Sequence, residues 1–192
     1  MLQQTQVSRV VGKYKEFLKK FPNTKALAQA QLVDVLRVWS GLGYNRRAKF
    51  LHQMAQVIVR DHKGIFPKTA KDLQKLPGIG HYSAGAIAAF AFNDAVPIIE
   101  TNIRTVYIHH FFSKKKKVSD KELMNSIEKT LDRKNPREWY WALMDYGSYL
   151  KVNGVKNNSK SKHYTKQSTF VGSKRSIRGY IITALLKNNL PL

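Results

Sequence analysis

The sequence predicts an all-α protein. Apolar residues recur at helical spacing through most of the chain. Seven of the 11 glycines and all 6 prolines fall outside those stretches, and no strand-like alternation occurs outside the short apolar link Ala95–Ile99. Val7–Phe21 sets Val10, Val11, Tyr14, Phe17 and Leu18 on a helical period and ends near Pro22. Leu27–Trp39 follows with Leu32, Val33, Val35, Leu36 and Val38, and stops at Gly41-Leu42-Gly43. Arg46–Asp61 is the next helix, closed by Gly64. Thr69–Leu76 is a short one, with Thr69 and Asp72 in capping-box spacing. Tyr82–Phe92 is small and apolar on nearly every side, which suits a buried helix. Thr101–Phe112, Asp120–Leu131 and Glu138–Leu150 keep the same period, and Ile177–Leu186 forms the last helix.

The charge balance narrows the function. Against 12 Asp and Glu stand 34 Lys and Arg, a net charge of +22 over 192 residues, more than solubility asks for. The usual partner of such a surface is a polyanion, most often nucleic acid. No residue is Cys, which excludes disulfides, thiolate zinc sites and thiol nucleophiles. The six His show no metal-ligand spacing, so no metal site is expected. No apolar run approaches the roughly 18 residues of a membrane span, and the opening residues do not read as a signal peptide. A cytoplasmic, nucleoid-associated monomer with no membrane contact is therefore expected. After Asp145 no acid occurs, while Lys151, Lys156, Lys160, Lys162 and Lys166 crowd the tail, and residues 151–175 read as an extended basic segment. A Lys run such as Lys114–Lys117 also reads as a solvated loop; for the acid-free tail, polyanion contact is the better reading.

Leu76-Pro77-Gly78-Ile79-Gly80 sits between two helical patterns. Two glycines around one aliphatic residue permit a tight hairpin whose N–H groups point outward at the start of the next helix. That arrangement binds a phosphate through backbone donors and the helix dipole. Ile79 is expected to face inward. The alternative is an ordinary corner between helices, but in a chain this basic, contact with a DNA backbone is favoured.

Here the chain resembles the helix-hairpin-helix DNA glycosylases of the endonuclease III superfamily, and within it the MutY-like adenine glycosylases. Leu76–Gly80 with His81-Tyr82-Ser83-Ala84-Gly85-Ala86-Ile87 carries the likeness. So do Met1-Leu2-Gln3-Gln4-Thr5-Gln6-Val7, Trp39-Ser40-Gly41-Leu42-Gly43-Tyr44, Pro97-Ile98-Ile99-Glu100-Thr101-Asn102-Ile103-Arg104 and Ala142-Leu143-Met144-Asp145-Tyr146-Gly147. These motifs run in order over about residues 1–150. The resemblance implies a two-lobed fold with DNA in the cleft between lobes, here expected as residues 1–96 and 97–192. It implies duplex DNA carrying a mismatched or damaged base as partner.

The roles come by position. Gln4 would enter the base stack, and Gly78, Ile79 and Gly80 would hold the phosphate backbone, with a monovalent cation on hairpin carbonyls. Asn45 stands where an aromatic wedge is common and, with Arg46, is expected to contact DNA, as are Lys160, Lys162 and Lys166. Trp141, in place of a polar residue, and Asp145 would line the substrate pocket. The target base must leave the stack before its glycosidic bond can be reached. Tyr82 occupies the place of the lysine that forms a Schiff base in strand-cleaving members. A phenol forms no imine, so a monofunctional N-glycosylase is expected. Glu100 stands for the catalytic Asp that offsets charge on the sugar as the base departs; its alternative is a helix cap.

Two departures qualify the likeness. The family's general-acid Glu lies two residues before the position of Met1, so a late start of this sequence is expected, with the present chain then inactive. The four cluster cysteines are absent, the first falling at Lys151, so no iron–sulfur cluster is expected and Lys151–Arg178 is read as replacing the cluster loop. Adenine opposite oxidised guanine or guanine ranks first as substrate, and thymine or uracil opposite guanine second. A non-catalytic lesion-binding module is the reading from a different class.

Overall fold

Helices build the fold throughout. The computed structural model describes residues 1–165 and 169–188. In chain order the helices are α1 Val7–Lys20, α2 Thr24–Gln29, α3 Leu32–Trp39, α4 Arg46–Asp61, α5 Ala70–Leu73, α6 His81–Phe92, α7 Thr101–Phe111, α8 Asp120–Thr130, α9 Pro136–Val152 and α10 Lys174–Lys187. A 3₁₀ turn spans Asn158–Lys160. Among the described residues there is no strand, only an isolated parallel bridge between Val118 and Ser161.

The all-α expectation holds, with three local corrections. Leu27–Trp39 is two helices, because Ala30 and Gln31 adopt extended backbone with ψ of 155° and 140°. Leu27 and Val35 are both buried in the core on either side of that turn. The expected Thr69–Leu76 helix is one turn, Ala70–Leu73, capped by Thr69, whose Oγ1 accepts from Asp72 N–H. Residues 151–175 are not simply extended. They finish α9, form the 3₁₀ turn and the bridge, and enter α10 at Ser173, which caps it.

The chain forms two compact units. One comprises Met1–Pro67, Leu76–Gly78 and the C-terminal helix; the other comprises Lys68–Lys75 and the stretch from Ile79 into the basic segment. This partition differs from the expected division at residue 96. Ala89 of α6 belongs to the core formed by α7, α8 and α9, and Leu186 of α10 packs on the core of α1, α3 and α4.

In the first unit Phe17 lies 5.0 Å from Phe21 and edge-on to Trp39 at 6.3 Å, ring centroid to centroid. In the second, Ile103, Tyr107, Leu123, Ile127 and Tyr140 are the inner layer. The apolar link before α7 shows why alternation there does not make a strand. Tyr140, fully buried, accepts from Ile98 N–H at 3.1 Å and donates to Val96 O at 2.9 Å. One side chain thus supplies what a neighbouring strand would, and satisfies backbone groups that burial would otherwise leave unpaired.

α7 packs on α9 at Gly147, where a Cβ would come within 2.6 Å of the Asn102 carbonyl carbon. Gly147→Ala should therefore cost about 3 kcal/mol, the upper range for overpacking, because backbone must move; chemical denaturation measures it. α8 begins with a full capping box, Ser119 with Glu122. Hydrogen bonds from Lys115 and then Ser119 hold the Glu122 carboxyl down at about 2. A depressed carboxyl stabilises above its ordinary value and loses that contribution as pH falls through the folded one. Wild type should thus melt above Glu122→Gln at pH 6, and the two curves should converge as the pH is lowered from about 4.5 to about 2.

Candidate active site and nucleic-acid interface

In the first unit the expected DNA-contacting residues lie on tight turns. Gln4 is exposed and left-handed, with φ of 57°, at the tip of a turn closed by Thr5 N–H on Leu2 O at 3.3 Å. A non-glycine residue adopts that backbone only where its surroundings hold it. The holder is Arg47. Its guanidinium donates to Met1 O at 2.8 Å, Gln3 O at 2.5 Å, Thr5 Oγ1 at 2.9 Å, Leu42 O at 3.2 Å and Gly43 O at 3.1 Å. Trp39 and Tyr44 lie against it, ring centroids at 5.2 and 5.5 Å. Burial pushes the Arg47 guanidinium down from its ordinary value, with Tyr44 acting the other way.

Sequence reasoning named Arg46 and passed over Arg47. Arg46 is exposed, and Asn45 is half-buried at the start of α4 without capping it. The signal was available: Arg47 stands four residues before Leu51 and eight before Ala55, on the inward face of α4.

The hairpin loop follows. Gly78 has φ of 75°, and a Cβ there would lie 2.7 Å from Phe50 Cγ, so the turn needs glycine on both counts. Gly80, which caps α6, has open space where a Cβ would go, so internal packing does not demand glycine there. Ile79 is half-buried. The hairpin turn spans Pro77–Gly78, and the N–H groups of Gly80, His81 and Tyr82 beyond it find no acceptor among the described residues, with no side chain capping α6. Three consecutive such donors with the positive end of a helix dipole suit an anion.

In the second unit, Tyr82 sits half-buried in the first turn of α6 and Glu100 at the N-cap of α7. Burial, and then the Glu100 carboxylate, push the Tyr82 phenol up to about 12, so it stays a neutral donor throughout the physiological range. Glu100 Oε2 accepts from Asn102 N–H at 2.6 Å, while Oε1 accepts from none of the described residues. Capping and a free carboxylate oxygen therefore coexist in one side chain. Beside them lies a recess of about 340 Å³, bounded by His81, Tyr82, Pro97, Ile99, Arg104 and Asp120.

Other expected residues lie elsewhere. Trp141, 52% exposed, and Asp145 are surface residues of α9 and do not line that recess. Lys160 Nζ donates to Ser113 O at 2.6 Å, and Lys162 is exposed. Lys166 lies outside the described residues. Among the described residues no three His, Asp or Glu cluster closely enough to hold a metal ion, and no helix is long and apolar enough to cross a membrane.

A glycine hairpin opening a helix, a half-buried phenol in that helix's first turn and a capping carboxylate are the features of a helix-hairpin-helix protein of the DNA base-excision class. Residues 1–133 match the HhH-GPD superfamily base excision DNA repair proteins, and the chain belongs to that family. It is 38% identical over 154 residues to the adenine DNA glycosylase of Buchnera aphidicola subsp. Acyrthosiphon pisum, covering 78% of this chain and 44% of that one. Over 106 residues it is 46% identical to the adenine DNA glycosylase of Mycobacterium tuberculosis strain H37Rv, covering 55% and 35%. The chain spans less than half the length of these relatives. Its fold resembles a thermostable thymine-DNA glycosylase, with TM-score 0.67 and 20% identity over 85% of this chain and 79% of that one. It also resembles an endonuclease III trapped on DNA, with TM-score 0.67 and 16% identity over 95% and 81%.

Replacing Arg47 removes the donor that ties Met1 O and Gln3 O to Leu42 O and Gly43 O, and only the last two keep a second side-chain donor, Thr5 and Trp39. Arg47→Met should cost on the order of 2–3 kcal/mol. Arg47→Lys should recover little of it, since an ammonium lacks the planar fork. Urea midpoints of the three proteins measure both effects.

Proposed function

We propose that the chain is the catalytic part of a monofunctional DNA N-glycosylase acting on adenine mispaired with oxidised guanine or guanine in duplex DNA. The carrying observation is the pairing of Tyr82, a phenol held neutral, with Glu100, a carboxylate fixed by its cap and left with one free oxygen. The free oxygen is available to offset positive charge on a deoxyribose as the base leaves. The phenol can donate a hydrogen bond to sugar or carboxylate but forms no imine, so the strand stays intact. The relatives named as adenine glycosylases support the choice of base. Gln4, Asn45 and Arg46 are read as touching the duplex, and the donors at Gly78–Gly80 as holding a phosphate, with hairpin carbonyls read as taking a monovalent cation. Lys162 is read as a phosphate contact in the tail. Thymine or uracil opposite guanine is the second substrate.

Single-turnover assays on these duplexes test the reading, using residues 1–192 and a form lengthened upstream to supply the family's general-acid Glu. Abasic product that breaks only under alkali is expected. Glu100→Gln should lower the rate about a hundredfold or more with little change in DNA affinity. Because the phenol titrates near 12, no loss of rate attributable to Tyr82 should occur up to about pH 10. Binding without base release from either form makes the protein a lesion-binding module instead. A borohydride-trapped adduct overturns the role given to Tyr82. Affinity should fall with salt at a slope near −0.9 per phosphate neutralised, and Lys162→Glu should flatten that slope by about one.

A further inference from the structure

The resemblance implies an iron–sulfur cluster in the chain beyond α9, and these residues do not fit one. None of the 192 residues is Cys, and the stretch where the ligands would stand carries amides and hydroxyls. We propose that Asn157, Asn158 and Ser161, with Arg104 and Asp120, form a hydrogen-bonded clasp that positions the first turns of α7, and through them Glu100.

The contacts run along both sides of the segment. Asn157 Nδ2 donates to Thr105 O at 3.0 Å. The Thr105 hydroxyl, fully buried, lies 3.1 Å from Asn158 Oδ1 and 2.9 Å from Thr101 O. Arg104 forms a paired contact with Asp120 and donates to Ser161 Oγ at 3.0 Å. Ser161, 2% exposed, also accepts from His163 N–H at 3.1 Å. Val118 N–H donates to Lys160 O at 2.8 Å, and Lys162 N–H to Val118 O at 2.9 Å. Even the lysines are enlisted: Lys117 donates to Ser159 O at 3.0 Å, and Lys160 to Ser113 O.

Thr101, Arg104 and Thr105 follow Glu100 within five residues, and Arg104 N–H donates to Glu100 O at 2.8 Å. The clasp thus grips the helix whose cap is the catalytic carboxylate. Buried hydroxyls and a guanidinium that satisfy one another resist separation, since opening any one leaves the others unpaired without water. Ser161, Asn158 and Arg104 are accordingly positioning residues. They act through Glu100 and touch no reacting atom.

The catalytic half of this proposal rests on the glycosylase reading, so the test has an arm independent of it. Hydrogen exchange is measured on the intact chain for wild type, Ser161→Ala and Ser161→Thr. In Ser161→Ala the amides of α7 that follow its first turn should exchange at least tenfold faster than in wild type, while the amides of α4 keep their rates. Ser161→Thr should restore protection. If Ser161→Ala does not fold, the peripheral Lys117→Met variant should show the same pattern at two- to threefold. Unchanged α7 exchange, or equal acceleration in α4 and α7, overturns the clasp. In the assay arm, Ser161→Ala should lose about tenfold in single-turnover rate with duplex affinity unchanged. An equal loss in affinity, or a rate unchanged while α7 exchange rises, overturns the link to Glu100. A wild type that releases no base defeats the glycosylase reading and leaves the exchange arm to decide the clasp.

Discussion

Arg47 gathers five oxygen atoms from two turns that are some forty residues apart in the chain. Each turn is poor in regular hydrogen bonds. Gly41, Gly43 and Tyr44 are all left-handed, as is Gln4 opposite them, and such turns aim carbonyls outward rather than into a ladder. A planar cation with five donors can satisfy several carbonyls at once, which no neutral side chain does. Trp39 Nε1 and Arg9 complete the set by donating to Gly43 O and Gly41 O. Gln4 is thereby held at the tip of an ordered turn before any partner arrives, so less conformational freedom remains to be lost on contact.

The second unit solves the same problem with neutral groups. Its link into α7 is unpaired backbone, and Tyr140 satisfies it from inside the core. Desolvation of that ring pushes its phenol up to about 12, so the hydroxyl keeps the proton that Val96 O needs. Thr105, Asn158 and Ser161 extend the pattern outward. In a chain carrying +22, internal ties made of cations would add to self-repulsion unless paired. Arg104 brings its own carboxylate in Asp120, while Lys117 and Lys160 donate to carbonyls at the exposed margin of the clasp.

Most helices were legible because burial follows period: α4, α6 and α7 lie nearly where the apolar spacing put them. The break at Ala30–Gln31 was not legible, since both residues are ordinary helix formers and neither carries a turn signal. The roles of Tyr82 and Glu100 were readable as motif positions, but their coupling was not, because it depends on desolvation that a sequence does not display. The basic tail misled in one respect. Counting lysines describes a surface, whereas Lys160 and Lys117 spend their ammonium groups on carbonyls of their own unit. The amide and hydroxyl residues Asn157, Asn158 and Ser161 tie the segment to α7.

Glu at position 100 illustrates how one methylene changes a site. Short side chains make the best helix caps because their oxygen reaches the second or third N–H with little freedom to lose. Glutamate must fold back to do so, and Glu100 reaches Asn102 N–H at 2.6 Å. The folded-back chain leaves its other oxygen without a donor among the described residues, and its charge helps push the Tyr82 phenol up to about 12. A carboxylate free to rotate would spread its charge over several positions and stabilise none of them strongly. One fixed at a helix end gives up part of its hydrogen-bonding capacity in exchange for direction, and direction is what charge stabilisation at a single carbon requires.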